Sequence, residues 1–351
     1  MKRKTYNGKI LALFTAFMMV CLLVPVSTLL AQDSTVVEAE TPVIAKIKPV
    51  KNTFQSVWII DNQTVMVPIK GTFEMDIQHR FGIWKNGYED FWGFFAPSNI
   101  RLGVSYAPVS KFNFGIGVTK STAGIIPYQS VSTISGPLWD GNAKYSIITQ
   151  TKGKYPVSVS YYANVAFNTK KDPNHEIYRE TNSAGKKTTI LGISTDRFSF
   201  FNQLIIARKV TDKLSVQVAP SLSHQNVANG YFVKLNDSTL KVKADMKFDH
   251  FAIAFSARYK VTEVTSLMIN YDQPLTQHTL NNPNPSLSFG VEFNTSSHAF
   301  QLFFTNYYYL NPQTNNLYNH NSPFAYTDVN NNKIEGGKFL IGFNITRLWN
   351  Y

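Results

Sequence analysis

The chain has 351 residues, a formal net charge of +12 and a single cysteine, Cys21. Its Lys and Arg residues are scattered along the chain, which argues against the clustered basic face of a nucleic-acid-binding protein. One cysteine cannot form an intramolecular disulfide, and none of the seven histidines shows the spacing of a zinc site. We therefore expect no metal, no cofactor and no nucleic-acid partner.

The first 31 residues have the order of a secretory signal peptide. Four basic residues lie within the first nine, an apolar run follows from residue 10 to 24, and small residues lead to Ala31. An uncleaved membrane anchor is the alternative, because the stretch is nearly long enough to cross a bilayer. Pro25 interrupts the apolar run and favours cleavage before Gln32.

The next segment, residues 32–70, is predicted to be a periplasmic lead-in to the folded domain. Its first part mixes Thr, Val, Glu, Lys and Pro without a helical or strand period, which is typical of a flexible segment. From residue 71 to 351 the pattern changes, and we assign this part to one folded domain.

From Phe73 onward, segments of about ten residues alternate apolar side chains with small or polar ones, the period of a strand with one apolar face. In the segment at residues 198–206, Phe201 and Asn202 break the alternation, which predicts a bulge or a miscounted strand. The predicted strands lie near residues 73–81, 100–106, 112–118, 145–149, 157–167, 198–206, 214–222, 251–259, 267–271, 287–293, 300–304 and 339–351.

The connections alternate between short turns and long polar loops. Short ones fall near residues 107–111, 152–156, 208–213, 260–265 and 294–298. This alternation is typical of an up-and-down outer-membrane barrel with short periplasmic turns and long external loops. The predicted fold class is thus all-β, a single antiparallel transmembrane β-barrel of about 12 strands.

A soluble β-sandwich also alternates, so composition has to separate the two folds. Only 16% of the residues are charged and 14% are aromatic, and the faces opposite the apolar ones carry mainly Ser, Gly, Ala, Asn and Gln. These features favour a closed barrel in outer-membrane lipid, where every backbone group must be paired. The last strand ends in Trp349 and Tyr351, similar to the signal read by the barrel-assembly machinery, the predicted partner.

The stretch from Thr53 to Val109 contains a series of short motifs: Thr53-Phe54, Trp58-Ile59-Ile60-Asp61-Asn62, Lys70-Gly71-Thr72, His79-Arg80-Phe81-Gly82, Asp90-Phe91-Trp92-Gly93-Phe94-Phe95 and Ser98-Asn99-Ile100-Arg101-Leu102-Gly103. With these motifs the stretch resembles an uncharacterised family of bacterial outer-membrane β-barrels, domain of unknown function 5777. The later strands resemble that family in spacing more than in identity. The resemblance implies a barrel and carries no assigned activity.

Several charged residues fall on the predicted lumen-facing phase of the strands. Opposite charges inside a barrel either form salt bridges that close a narrow interior or form a selectivity surface for charged solutes. Twelve strands allow both, because such a barrel is intermediate between filled small barrels and open porins. The candidates are Glu74, Asp76, Arg80, Arg101, Arg258, Lys260, Asp272 and Glu292.

No enzyme site is predicted. A hydrolase of the Ser-His type needs both side chains within hydrogen-bond reach. The nearest candidates are Ser221, Ser223 and His224, but Ser223 and His224 are neighbours on opposite faces of a strand. Asp249 and His250 meet the same objection.

Two functions remain open. The first is a pore or channel for small solutes or for a specific ligand that the sequence does not identify. The second is a plugged, non-transporting barrel that acts as a surface binding or scaffold protein. The loop from Tyr308 to Lys338 could supply a plug or a binding surface, and its Tyr- and Asn-rich part is expected to cap the barrel rather than to bind glycans. The aromatic residues of the first external loop, Phe91 to Phe95, are expected to pack in an interfacial girdle.

Overall fold

The structure, a computed structural model, describes residues 49–51, 53–121, 137–169, 177–178, 187–188, 197–226, 228–236, 239–244, 246–280, 282–327, 331 and 333–350. The predicted signal peptide, most of residues 32–52 and the terminal Tyr351 lie outside the described residues. Within the described part of the chain, no helix is long and apolar enough to cross a membrane.

Twelve long strands form a closed antiparallel barrel, which confirms the predicted fold class and strand number. Each strand pairs with the preceding one in the chain, and β12 pairs with β1 to close the sheet. The barrel strands are β1 (Thr72–Ile83), β2 (Asn99–Val109), β3 (Phe112–Ser121), β4 (Leu138–Ile148), β5 (Ser158–Asn168), β6 (Phe198–Lys209), β7 (Leu214–Gln225), β8 (Asp249–Lys260), β9 (Thr265–Pro274), β10 (Ser286–Asn294), β11 (His298–Thr305) and β12 (Leu340–Asn350).

Two details of the strands differ from the prediction. Strand β4 begins at Leu138 rather than near Tyr145, because its polar start, Asp140 to Asn142, resembles a loop in sequence. The bulge predicted near Phe201 is wrong, since β6 keeps one register with β5 and with β7. Phe201 breaks the alternation because it points inward as a large apolar residue and is 3% exposed.

The outer face of the barrel is a band of apolar side chains. These residues alternate along each strand with the buried inner ones, as the pleat of a strand requires. Such a band suits hydrocarbon and would be costly in water. Exposed members include Met75, Ile100, Leu102, Val104, Phe114, Ile116, Trp139, Ile147, Val165, Leu204, Phe251, Leu267, Phe289, Phe300, Leu302 and Phe304.

The two ends of the barrel differ in their connections. One end, here the turn end, carries the short turns between β2 and β3, β4 and β5, β6 and β7, β8 and β9, and β10 and β11. The other, the loop end, carries the long connections. These contain a 3-10 helix at Trp84–Asp90 and the short helix α1 at Pro312–Tyr318. The sequence predicted neither helix, because both lie in polar, aperiodic stretches.

The loop end also carries small sheets that the sequence analysis treated as loop. Strand Ala228–Asn236 pairs with Thr239–Ala244 and with Ile177–Tyr178, which in turn pairs with Lys187–Thr188. A second pair joins Tyr326–Thr327 and Lys333–Ile334. The connection after β5 and the connection after β7 are therefore joined above the barrel.

The main apolar core lies inside the barrel, around residues that precede β1. Residues 53–66, here the plug hairpin, enter from the turn end, reverse at Ile60 and Asp61, and return to Thr72. Trp58–Ile59 pairs with Asn62–Gln63, and Ile60 has a left-handed backbone with φ of 61°. The sequence analysis assigned this segment to the periplasmic lead-in, whereas the structure places it inside the barrel, because its apolar residues need a protein environment that the barrel interior provides.

Candidate functional site: the plugged lumen

The plug hairpin is held on one side by amide side chains of the barrel wall. Gln301 Nε2 donates to the Trp58 carbonyl at 2.8 Å, and its Oε1 accepts from the Ile60 amide at 3.1 Å. Asn270 and Asn344 donate to the carbonyls of Ile59 and Ile60. A two-stranded hairpin leaves its outer backbone groups unpaired, and buried backbone groups need partners. The wall amides supply these partners.

The opposite side of the hairpin is held in the same way. Gln217 Nε2 donates to the Gln63 carbonyl at 2.8 Å, and its Oε1 accepts from the Val65 amide at 3.2 Å. Lys144 Nζ donates to the Gln63 side chain at 2.8 Å, while Ser160 Oγ donates to the Val65 carbonyl at 2.9 Å. Long polar side chains from widely separated strands thus recognise the hairpin backbone.

Apolar contacts add to these hydrogen bonds. The plug hairpin contributes Phe54, Ile59, Ile60 and Val65 to a buried cluster. The wall contributes to the same cluster mainly large residues from otherwise polar inner faces: Tyr162, Phe201, Ile205, Met268 and Phe303. A large apolar residue on the inner face of a barrel strand therefore indicates that an apolar segment of the chain packs against it inside the barrel.

Arg101 is enclosed by two carboxylates at one side of the lumen. Its Nη1 lies 2.8 Å from both oxygens of Asp76, and its Nε and Nη2 lie 3.0 and 2.9 Å from the oxygens of Asp140. Gly103 and Gly117 provide the space, because a Cβ at either position would overlap this cluster. Paired charges of this geometry satisfy the buried guanidinium fully.

A second ionic contact lies across the lumen. Arg258 Nε lies 2.7 Å from Glu292 Oε1, and both side chains are nearly inaccessible to solvent. The second guanidinium donor, Nη2, is within hydrogen-bond reach of Gln55 in the plug hairpin. Gln301 also donates to Glu292, at 2.7 Å. The ion pair is thus joined to the network that holds the hairpin.

Three of the four remaining predicted lumen residues also face inward. Arg80 is fully buried, donates to Asn344 Oδ1 at 3.0 Å and lies 4.6 Å from the centre of the Phe303 ring. Asp272 accepts from Asn62 at 2.8 Å. Glu74 is buried on the inner face of β1. Lys260 instead pairs with Glu263, at 2.9 Å, in the turn between β8 and β9.

Asp140, Lys144 and Asp61 lie inside the barrel and were missed by the sequence analysis. Asp140 and Lys144 lie on β4, and the sequence analysis assigned the beginning of this strand to a loop. Every second residue of a strand faces the same side, so counting back from Ser146 in steps of two would have placed both residues on the inner face. Asp61 lies at the tip of the plug hairpin. The alternation of apolar and polar residues does not identify Asp61, because a residue in a turn belongs to neither face of a strand.

The loop end of the lumen is closed by the connection between β11 and β12. The Tyr307 hydroxyl donates to Asp61, and Asn315 Nδ2 of α1 donates to the same carboxylate at 3.0 Å. Gln313 Nε2 donates to Asn164 Oδ1 at 2.8 Å, and the Tyr318 hydroxyl donates to Gln225 Oε1 at 2.7 Å. The loop therefore bends into the barrel and meets the tip of the plug hairpin.

Open space is distributed unevenly along the lumen. A space beside the hairpin tip at Asp61 and another beside Trp58 and Arg101 hold only about 10 Å³ each. At the turn end, a cavity of about 630 Å³ lies between the wall and residues 65–69. The lumen is closed by the tip and α1 and widens toward the turn end.

The residues considered for hydrolysis lie near the loop end. Ser223 faces the lumen and His224 faces outward, as expected for strand neighbours, and His224 Nδ1 lies 2.8 Å from Asp249 Oδ1 across the β7–β8 pair. His250 faces inward and lies 2.8 Å from His278, with the two rings stacked. Among the described residues, no three potential ligands come together to hold a metal ion.

The aromatic residues of the loop between β1 and β2 form an exposed cluster. Phe91 and Phe95 stack with ring centres 5.3 Å apart, Trp92 contacts Trp84, and Phe94 contacts Phe81 of β1. Phe95 is 80% exposed. The cluster extends the apolar outer band at the loop end, the place expected for an interfacial girdle.

Residues 54–349 match the profile of a family described as a membrane bound beta barrel domain, domain of unknown function 5777. The chain belongs to this family. No curated protein sequence matches the chain significantly. The family match begins at Phe54, so it includes the plug hairpin together with the barrel.

Among solved structures, an outer membrane channel from Pseudomonas putida F1 matches with 12% identity and a TM-score of 0.40, over 81% of this chain and 97% of that one. The Pseudomonas putida toluene transporter TodX matches with 8% identity and a TM-score of 0.35, over 81% and 90%. LpxR from Salmonella typhimurium matches with 8% identity and a TM-score of 0.33, over 79% and 100%. At such values the similarity concerns the barrel fold alone.

Proposed function

We propose that the protein is an outer-membrane channel for small solutes and that the structure is its closed state, with the plug hairpin as the gate. The observation that supports this is how the hairpin is held: its backbone is bound by polar wall side chains such as Gln217, Gln301 and Asn344. If the hairpin moved, water could replace it as partner of these groups. A polar-lined passage through a twelve-strand barrel would remain.

The charged lumen residues would then determine which solutes pass. Glu74, Lys144, Asp272 and Glu292 lie on the inner wall beside the hairpin. Once water fills the lumen, their charges act on a passing ion directly. We expect Glu74→Gln to shift the open channel's ion selectivity away from cations.

The second candidate is a closed scaffold that carries nothing. It is favoured by the double closure of the loop end, where Tyr307 and Asn315 bind Asp61 at the hairpin tip. In that case the external sheets around Ala228–Asn236 would present a binding surface.

A reversible cross-link between hairpin and wall separates the two candidates. Ser160 Oγ donates to the Val65 carbonyl at 2.9 Å, so position 160 of the wall and position 65 of the hairpin are in contact. Both are replaced by cysteine, and gel mobility with and without reductant checks that the disulfide has formed. The variant is made with Cys21→Ser, which removes the chain's only cysteine, and each single cysteine serves as a control. Conductance is recorded in planar bilayers before and after oxidation, and again after reduction.

A gating hairpin predicts openings in the reduced variant, silence after oxidation, and recovery after reduction. Oxidation should leave the single-cysteine controls conducting. A barrel that is folded and silent under both conditions supports the scaffold. Conductance that is the same before and after oxidation would show that ions pass by another route. It would rule out the plug hairpin as the gate.

A further inference from the structure

The cavity of about 630 Å³ at the turn end has the size of a small-molecule site, since such sites measure about 300–1,000 Å³. One side is formed by Phe54 and Met66 at the base of the plug hairpin and by Val67 and Pro68, which follow it; these four residues are here the hairpin stem. The chain that leads into the hairpin borders the same space with Val50 and Lys51. It is held to the wall there, since the Val50 amide donates to the Gln150 carbonyl at 2.8 Å. The cavity is therefore built from the hairpin and the wall together.

The other side of the cavity is lined by hydroxyl groups. Ser110, Ser146 and Ser158 face it from the wall, and further Ser and Thr side chains surround them. Ser110 Oγ accepts from the Lys70 amide at 3.3 Å, and Ser158 Oγ accepts from the Gln150 amide at 2.8 Å. Each of these hydroxyls can still donate its own proton to a ligand oxygen.

Charge is scarce in this lining. Among the described lining residues, Lys51 is the one charged side chain, and it is exposed. A charged ligand moving into the cavity would lose hydration without gaining a buried partner of opposite charge. The lining therefore favours uncharged molecules.

We propose that this cavity binds an uncharged amphipathic small molecule, with its apolar ring or chain on the hairpin stem and its hydroxyl or carbonyl oxygens on the Ser and Thr side. This inference deepens the proposed function by naming a class of solute. The inference is tested by ligand binding, whereas the channel is tested by conductance. A negative result in one experiment therefore leaves the other proposal to be judged by its own measurement.

The probe is 4-methylumbelliferyl β-D-glucoside, which joins an aromatic ring to an uncharged sugar. Its binding to the full chain in lipid nanodiscs is measured by equilibrium dialysis, with empty nanodiscs as background. The sulfate ester of the same fluorophore is the charged comparison. We expect saturable binding of the glucoside, and binding of the sulfate at least tenfold weaker.

Two variants fill the cavity. Ser146→Trp places a large ring on the wall, and Val67→Trp places one on the hairpin stem outside the barrel strands. Lys213→Trp adds the same ring to an exposed turn away from the cavity and is the matched control. Heat-modifiable migration on gels checks that each barrel is folded.

We expect each folded cavity-filling variant to lose glucoside affinity at least tenfold and the control to keep it. If the glucoside shows no saturable binding, or if filling the cavity leaves its affinity unchanged, the site is wrong. Equal binding of the sulfate would overturn the preference for uncharged molecules.

Discussion

The two ends of the lumen are closed in different ways. At the loop end, the hairpin tip, Tyr307 and helix α1 meet through partly buried hydrogen bonds centred on Asp61. At the turn end, the hairpin stem is only partly buried and leaves a cavity of about 630 Å³. The barrier thus lies at the tip, where hydrogen bonds join the hairpin to α1 and a space of only about 10 Å³ is left beside Asp61. The stem links the plug hairpin to strand β1 of the wall.

This difference predicts that substitutions near the tip and in the buried cluster of Arg101, Asp76 and Asp140, here the ionic layer, will destabilise the barrel more than substitutions in the stem. The reason is that a buried polar group without a partner destabilises the fold far more than the truncation of a side chain that water already reaches.

The largest effect is expected from Arg101→Ala. It leaves Asp76 and Asp140 buried without their cation, and breaking a buried ion pair costs about 3–5 kcal/mol. Urea unfolding of the refolded barrel in detergent micelles measures the loss. Arg347→Ala, an outward-facing arginine 4.6 Å from the ring centre of Trp349, is the control and should lose far less. Similar losses in both variants would contradict the role of the ionic layer.

A smaller effect is expected at the hairpin tip. Asp61→Ala removes the carboxylate that accepts from Tyr307, Asn315 and Asn270, and the unpaired donors should cost about 1–3 kcal/mol. Because this contact joins the tip to the loop, the open fraction in bilayer recordings should rise. Tyr307→Phe removes one of the donors and should show a weaker change in the same direction. An unchanged open fraction in Asp61→Ala would place the barrier elsewhere.

In the hairpin stem, Val67→Ala should destabilise the barrel by less than about 1 kcal/mol, because this side chain is only half-buried beside the cavity. The same urea titration tests this, with Val65→Ala as the comparison. Val65 is 7% exposed within the apolar cluster and should cost more. The reverse order would show that burial does not determine the cost of truncating a side chain in this part of the chain.

The smallest effect is expected on the exposed surface of the loop end, where Lys85 pairs with Glu335. The hydrogen bond and charge of Lys85 lower the pKa of Glu335. Any stabilisation is therefore present at neutral pH and lost as the pH falls through the lowered pKa. Glu335→Gln should leave the urea midpoint unchanged within error at neutral pH, since exposed pairs contribute little. A clear shift of the urea midpoint would show that an exposed ion pair at the loop end contributes to stability although it is not buried.

Much of the barrel followed from local pattern. The alternation along β1, β2 and β3 placed Glu74, Asp76, Arg80 and Arg101 on the inner face before any contact was known, and the structure finds all four buried there. A strand of period two exposes its faces alternately, so face is encoded in sequence. The same pattern failed for β4, where Asp140 and Lys144 looked like loop residues.

What the sequence determined by itself was the fold class, the strand number and which side chains face inward. Only the tertiary structure decided what fills the interior. The plug hairpin has no period of its own, and the residues that hold it, such as Lys144, Gln217 and Gln301, are far apart in the chain and meet it only after the barrel closes. Local alternation encodes which way a side chain points, whereas the occupant of a lumen depends on contacts between distant segments, which no local pattern records.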